Sequence, residues 1–471
     1  MSLMNRTPPT TQLTEIKPVS SFAQAVSVLE RLPNLETQRP EHIGEDSFKL
    51  ARMHALLERL DDPHRELTLV HVAGSKGKGS VCEMLAAALT GCGYAVGVHT
   101  SPHLVDVRER IRIGTDLVSE SAFVTLLNRT LRAAASIEQT LGPASYFEII
   151  AAMALSHFRD QAVDVGVIEV GLGGRLDATN VITPAVALIG AIQLEHTQIL
   201  GTTPAAIAAE KAGIIKPGVP TITIPQDDET ALEVIERAAE RAGSPLGVIG
   251  REIEFTQRFE ADPELGPHMR IGITTDRTAF EHIAVPLPGE HQARNCALAL
   301  AAIDVLVGRG IDAPEVRVAA GLADTGRRGR LETVWDQPRV IADGAHSPDS
   351  IASLVRTIGA HVRYDSMAVV FGCAADKDTD GMLAEIARGA DKIIMTRSAS
   401  NPRTADPAHL AERYEAISGK TAQIAESVKE AVNIAARAIG HNDLICVTGS
   451  FYIAGEAKKL FEDKAAAPQS A

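Results

Sequence analysis

Short apolar runs alternate with longer stretches in which apolar positions recur at helical spacing. That alternation predicts an α/β protein with a largely parallel sheet. Buried strands are expected at 67–73, 94–99, 163–170, 185–192 and 219–224. Helices are expected from the glycine-rich turn after residue 73 to about Gly91, and at 123–141, 146–159 and 205–212. Between 252 and 287 short alternating runs carry Thr, Ile and Phe, which suggests an antiparallel patch. An Ala/Leu-rich helix is expected at 292–307. Residues 324–330, Asp-Thr-Gly-Arg-Arg-Gly-Arg, lack periodicity and read as a linker. The alternation then starts afresh, with strands near 339–342, 368–371, 392–396 and 444–448.

At 471 residues the chain is too long for one ordinary core. The pattern divides it into a polar tail over 1–20, a larger domain over 21–323 and the linker 324–330. A smaller α/β domain over 331–462 and a second tail over 463–471 follow. No apolar run approaches the roughly 18 residues of a membrane span, and the polar, Pro/Thr-rich start reads as no signal peptide. Five scattered cysteines form neither C-x-x-C nor zinc-site spacing, which fits a reducing cytoplasm. A formal net charge of −14 without a basic stripe argues against nucleic acid as a partner. The implied partners are small molecules, taken up by a soluble monomer.

The sharpest chemical signal is Gly74-Ser-Lys-Gly-Lys-Gly-Ser80, between a strand and a helix. Glycines let backbone N–H groups wrap phosphates, and the helix N-terminus favours negative charge. Lys78 can reach the β- and γ-phosphates, and Ser80 can approach phosphate or its metal. Gly79, between them, departs from the common phosphate-loop pattern. Glu169 ends an apolar strand ahead of a Gly-rich loop, where a buried acid beside a phosphate loop suits Mg²⁺. An exposed strand-end Glu is its alternative. Glu195-His196 follows another strand, so His196 is a candidate ligand although a lone His is usually structural. Lys211 on its helix reads from local pattern as a solvated lysine. Ser101, in His99-Thr-Ser-Pro-His103, can offer a hydroxyl to a cation. Asp343-Gly-Ala-His346 again follows a strand and reads either as a nucleotide contact or as the approach to a helix cap at Ser347-Pro348.

Together these segments resemble the bacterial dihydrofolate synthase/folylpolyglutamate synthase family, relatives of the Mur ligases. The resemblance runs from about residue 40 to about 458. It rests on His71-Val-Ala-Gly-Ser-Lys-Gly-Lys-Gly-Ser80, Thr100-Ser-Pro-His-Leu104, Tyr146-Phe-Glu148 and Glu169-Val-Gly-Leu-Gly-Gly-Arg-Leu-Asp-Ala-Thr-Asn180. It also rests on Glu210-Lys-Ala-Gly-Ile-Ile-Lys216, Gly289-Glu-His-Gln-Ala-Arg-Asn295, Gly329-Arg-Leu-Glu332, Asp343-Gly-Ala-His346, Asp376-Lys-Asp378 and Gly449-Ser-Phe-Tyr452.

The resemblance implies a phosphate-loop-containing, Mur-ligase-like ATP-binding domain, then a smaller Rossmann-like glutamate-ligase domain. It implies that Gly77, Lys78, Gly79 and Ser80 hold ATP phosphates, with Asn295, Arg330, Asp343 and His346 contributing from the domain interface. Ser101, Glu169 and His196 would bind Mg²⁺. Lys211 would be carbamylated and catalytic, with Lys78 and His196. A dihydropteroate or folate would lie near Ser145, Tyr146, Phe147, Glu148, Leu176, Asp177 and Ala178. The activity implied is ATP-dependent addition of L-glutamate to dihydropteroate, to reduced folate (poly)glutamates, or to both, through an acyl phosphate. Departures from the family pattern include Ser75-Lys76 for the common Thr-Asn, Glu195 for an Asp, Arg108 for an Asn, Ser347 for an Asn and Arg327-Arg328 for Trp-Pro.

Two other readings are distinguishable. A ligase for another carboxylate, such as a cell-wall nucleotide, should carry a whole domain before the phosphate loop, and only 73 residues precede Gly74. A nucleotide-binding protein without ligase activity should lack the acceptor segments around Tyr146 and Asp177.

Overall fold

The computed structural model describes Leu13 and residues 17–36, 50–263 and 265–466. The largest sheet has eight strands, in the order Asp116–Leu117, Arg112–Ile113, Val96–His99, Val165–Glu169, Leu69–Ala73, Val186–Ile189, Thr221–Thr223 and Leu246–Val248. Its last six strands pair in parallel, and the first two make an antiparallel edge. Leu69–Ala73 and Val165–Glu169 are buried at every position, because helices cover both faces. On one face Lys78–Gly91 packs with Glu290–Val307 and Glu315–Ala323. On the other, Phe22–Leu29, Leu50–Glu58, Glu120–Leu141 and Tyr146–Asp160 share a second core.

The chain leaves Leu69–Ala73 toward one edge of this sheet and Val186–Ile189 toward the other. These two strands are neighbours, so a crevice opens beyond their carboxyl ends, where α/β sheets bind ligands. The antiparallel patch expected at 252–287 is a three-stranded sheet of Ala279–Ala284, Gly266–Thr274 and Glu254–Asp262. Its Ile271, Ile273, Phe280 and Ile283 join the core under Glu290–Val307.

Residues 324–330 form no helix or strand. Arg328, Gly329 and Leu331 take φ of 31°, 70° and 49°, a strained turn for the two side-chain-bearing residues. Beyond it lies a six-stranded sheet in the order Glu332–Asp336, Arg339–Ala342, Leu444–Thr448, Met367–Phe371, Lys392–Met395 and Gln423–Ile424. Only its first pair is antiparallel.

The loose tails expected at the two ends are corrected where they are described. Val19 is buried, its N–H donates to Asn128 Oδ1 at 2.9 Å, and its carbonyl accepts from Asn128 Nδ2 at 2.9 Å. Leu13 is buried as well, while residues 1–12 and 14–16 lie outside the described residues. The last helix, Phe451–Ala466, runs past the expected boundary at 462. Trp335 explains this: Phe461 stacks on its ring at 5.2 Å, and the Lys464 ammonium lies 4.5 Å from the ring centre. Residues 467–471 lie outside the described residues. No described helix is long and apolar enough to cross a membrane. All five cysteines are buried and unpaired.

Candidate active site

The carboxyl ends of four parallel strands face the six-stranded sheet across a cavity of about 350 Å³. Its floor is the loop expected to hold phosphate. Ser75 N–H donates to Ala191 O at 2.7 Å and Ser75 Oγ to Gln193 O at 2.9 Å, which ties the loop to the neighbouring strand end. Gly77 caps helix Lys78–Gly91 at φ 83° with no side-chain capping hydrogen bond, so the first N–H groups stay available to an anion. A side-chain carbon at Gly77 would lie 2.3 Å from Asn295 Oδ1, and one at Gly79 would lie 1.9 Å from an Arg330 guanidinium nitrogen. Both glycines are therefore fixed by close approach. The Lys78 ammonium is turned back on the loop and donates to Gly74 O at 3.0 Å.

Glu169 is buried at its strand end, and its Oε2 accepts from Ser101 N–H at 3.0 Å. Burial raises its carboxyl above the ordinary range, against the pull of Lys78 and Arg330. His196 lies on the same cavity but makes no side-chain hydrogen bond among the described residues. Its ring is exposed to the cleft; partial desolvation there, with Lys377, Lys211 and Lys78 nearby, lowers it against the pull of Glu195. The imidazole is thus neutral. No group of three or more His, Cys, Asp or Glu among the described residues is arranged to hold a metal.

The solvated-lysine reading of Lys211 is wrong. The side chain is buried, with Nζ 2.8 Å from Glu195 Oε1 and 3.0 Å from Gly74 O. It sits behind the loop rather than on the cavity wall.

Ser145, Phe147, Glu148, Leu176, Asp177 and Ala178 line another wall. Ser145 and Glu148 also form a reciprocal cap on helix Tyr146–Asp160, and Glu148 pairs with buried Arg52 at 2.9 Å. Asp177 accepts from Leu172 N–H at 2.9 Å and from the Thr179 hydroxyl at 2.5 Å. His71 Nε2 lies 2.8 Å from that hydroxyl, whose proton already goes to Asp177, so His71 donates. Sequence reasoning missed this support, since His71 sits mid-strand without a local signal. Tyr146 lies behind the wall, its ring 5.1 Å from the Arg110 guanidinium carbon.

On the far side, Arg330 and His346 line the cavity, while Asp343 lies behind them. Asp343 Oδ2 accepts from Leu331 N–H and Oδ1 from Ala345 N–H, both at 2.8 Å. It locks the strained turn that carries Arg330, and burial raises its carboxyl to about 6. The helix start expected at Ser347-Pro348 is present as well, with Ser347 pairing reciprocally with Ser350. Lys377, Asn401 and Arg403 line the same side, and Asn34–Glu36 close the mouth. Glu36 pairs with Arg110 at 2.6 Å, and its carbonyl accepts from Arg403 at 3.0 Å. Glu36 thus joins both sheets. Asn401, Arg403 and Glu36 come from loops whose pattern gives no functional signal.

Two family models match this chain: the Mur ligase middle domain over residues 72–303 and the Mur ligase glutamate ligase domain over residues 329–451. A dihydrofolate synthase/folylpolyglutamate synthase of Mycobacterium tuberculosis is 35% identical over 450 residues, covering 88% of this chain and 90% of that protein. The chain belongs to the dihydrofolate synthase/folylpolyglutamate synthase family. It is a Mur-type ligase, as the motifs implied. A probable bifunctional folylpolyglutamate synthase/dihydropteroate synthase of Haloferax volcanii is 33% identical, and there the chain spans 47% of the relative's length. The solved Mycobacterium tuberculosis folylpolyglutamate synthase complexed with ADP and AMPPCP superposes with a TM-score of 0.83 at 31% identity, covering 94% of this chain and 99% of that one. Escherichia coli FolC in complex with DHPP and ADP superposes with a TM-score of 0.81 at 28% identity, covering 96% and 100%.

Proposed function

We propose that this family member joins L-glutamate to the carboxylate of dihydropteroate and of reduced folate (poly)glutamates, converting ATP to ADP and phosphate. The observation that carries the reading is one cavity lined by the phosphate loop, by the Phe147 and Leu176–Ala178 wall, and by cations of the second domain. Nucleotide, acceptor and amino acid then meet in one place. Phe147, Leu176 and Ala178 offer apolar surface to a flat ring, with the Asp177 carboxylate for its polar edge.

The acceptor carboxylate oxygen attacks the terminal phosphorus, and ADP leaves. The glutamate amine attacks the acyl carbon, loses a proton, and phosphate leaves. Lys78 swings from Gly74 O to the phosphates and offsets their charge. Arg330, packed over Gly79, approaches the same group from the linker. Closure by Glu36 and its two arginines keeps water from the acyl phosphate. The residues fit a Mg²⁺ ion that keeps waters of its own: Glu169 offers a buried carboxylate, Ser101 a hydroxyl and His196 a neutral imidazole. Held by these residues, the ion would supply charge neutralisation to the phosphates. We further assign nucleotide contacts to Asn295 and His346, a monomeric state in the cytoplasm, and no nucleic-acid or membrane partner; the acidic net charge supports the exclusion of nucleic acid.

The deciding assay supplies ATP, glutamate and each acceptor in turn, with products weighed by mass spectrometry. Both dihydropteroate and tetrahydrofolate are expected to gain glutamate. If dihydropteroate yields nothing where tetrahydrofolate reacts, the chain is a folylpolyglutamate synthase alone. If neither reacts and ATP is not consumed, the ligase reading for these acceptors fails.

Asp343→Ala is a second test. Losing its two bonds frees the turn that holds Arg330 against the loop. The ATP KM is expected to rise about tenfold, the effect of one lost charge-assisted contact. A nucleotide affinity equal to wild type would remove Asp343 from the site.

A further inference from the structure

We propose that Lys76 is a further catalytic cation of this ligase, binding the terminal phosphate of ATP as it passes to the acceptor carboxylate. The inference rests on the ligase reading above and adds a residue to it. Lys76 stands in the phosphate loop two positions before Lys78. Its side chain is half-buried, lines the cavity and crosses to the second domain, with Nζ 3.4 Å from His346 Nε2. His346 Nδ1 is 2.7 Å from Gly344 O and donates to it, so Nε2 carries the lone pair and Lys76 donates. A neutral imidazole is a weak partner for an ammonium.

No carboxylate bonds Lys76 among the described residues. Glu195, the acid that acts on Lys76 among the described residues, is held by Lys211. Burial holds the Lys76 ammonium down to about 8, Glu195 opposes this, and Lys377, Lys78 and Lys211 lower it further. Lys76, Lys78, Lys211 and Lys377 all act on or beside Glu195, while Glu169, Asp177 and Asp376 offset the charge of Lys78, Lys211 and Lys377, so among the described residues Lys76 is the member of the group with no second carboxylate acting on it. A terminal phosphate carries more charge than an amino-acid carboxylate. It is also the group that the loop's open N–H groups address. When phosphate arrives, Lys76 exchanges the imidazole for phosphate oxygens while still bridging the domains.

The test compares Lys76→Met and Lys76→Arg with the unaltered full-length enzyme. Initial rates are measured against ATP and against glutamate, and Mg²⁺–AMPPCP and Mg²⁺–ADP binding by calorimetry. Lys76→Met is expected to weaken AMPPCP by at least about tenfold, as loss of one charge-assisted phosphate contact does, and to lower kcat at least as much. ADP affinity should move less than about threefold, which also shows that the variant is folded, and the glutamate KM should stay unchanged. Lys76→Arg should recover part of the AMPPCP affinity. Equal losses for ADP and AMPPCP would reduce Lys76 to a structural bridge, and a rise confined to the glutamate KM would give it to the amino acid. Either result overturns the proposal, as does wild-type behaviour. Lys78→Ala is run in parallel: full activity there would sink the phosphate-loop reading itself, whatever Lys76 does.

Discussion

Lys78→Ala is expected to fold as the unaltered chain does and to lose ATP-dependent ligation by at least about a hundredfold, the effect of removing one preorganised cation or donor from a developing charge. The folding half follows from the contacts. Lys78 opens helix Lys78–Gly91, and the bond of its ammonium is to Gly74 O. Alanine keeps the helix start, and losing one such bond costs about 1 kcal/mol. The catalytic half follows from position: the ammonium rests on Gly74 O within the loop, close enough to Glu169 to act on its carboxyl together with Arg330. Loss should fall on kcat and on kcat/KM for ATP together, with the glutamate KM little changed. Steady-state ADP release beside a thermal melt decides the matter, and a well-folded variant that turns over normally removes the phosphate loop from the mechanism.

Much of this site was legible because it lies at strand ends. Leu69–Ala73 runs straight into Gly74, Val165–Glu169 ends in an acid ahead of Gly171, and Val186–Ile189 is followed six positions on by Glu195-His196, and such strand ends mark a ligand crevice. The loop, Glu169 and His196 were found from them. What escaped was tertiary. Helix Phe22–Leu29 buries only Ala25, Val28 and Leu29, a face too narrow to stand out, yet it leads to Asn34–Glu36 over the cavity. Helix Glu229–Ala242 was missed although its buried Ala231, Ile235 and Ala239 recur at helical spacing. The cap expected at Ser347-Pro348 is present, but nothing local shows that the Asp343 carboxylate before it reaches back 12 residues to Leu331. Lys211 looked solvated because helix Pro204–Ala212 has a polar last turn. Only the loop folded above it shows that the turn faces inward.

Lys211 is expected to carry a carbamate in the active enzyme. The amine attacks CO₂, an N–C bond forms and one proton is released, so the amine must first be neutral. A free lysine titrates near 10.4. Here burial lowers the value, the Glu195 carboxylate opposes, and the Lys78 cation lowers it again. The amine is thus held closer to the neutral form than a surface lysine. Carbamylation turns the present ion pair with Glu195 into two adjacent anions, which a buried site tolerates only with cations at hand. Lys78 and Lys76 are such cations, both acting on Glu195. A bound Mg²⁺ would favour the same change, since a carbamate offers two hard oxygens. Lys211→Ala should therefore lose at least about a hundredfold in kcat. It also leaves Glu195 without its ion-pair partner, so stability is expected to fall by up to about 3 kcal/mol. Lys211→Gln separates these effects, because it keeps a hydrogen-bond donor for Glu195 yet cannot carry CO₂. Lys211→Glu restores an anion and should recover part of the rate if the site holds a cation, although it is the worse partner for Glu195. Enzyme degassed free of CO₂ should slow and recover with bicarbonate, and ¹³C-bicarbonate should give a carbamate resonance in the unaltered enzyme that is missing from Lys211→Gln. Bicarbonate-independent activity with an unmodified amine would refute the carbamate and leave the ligase assignment standing.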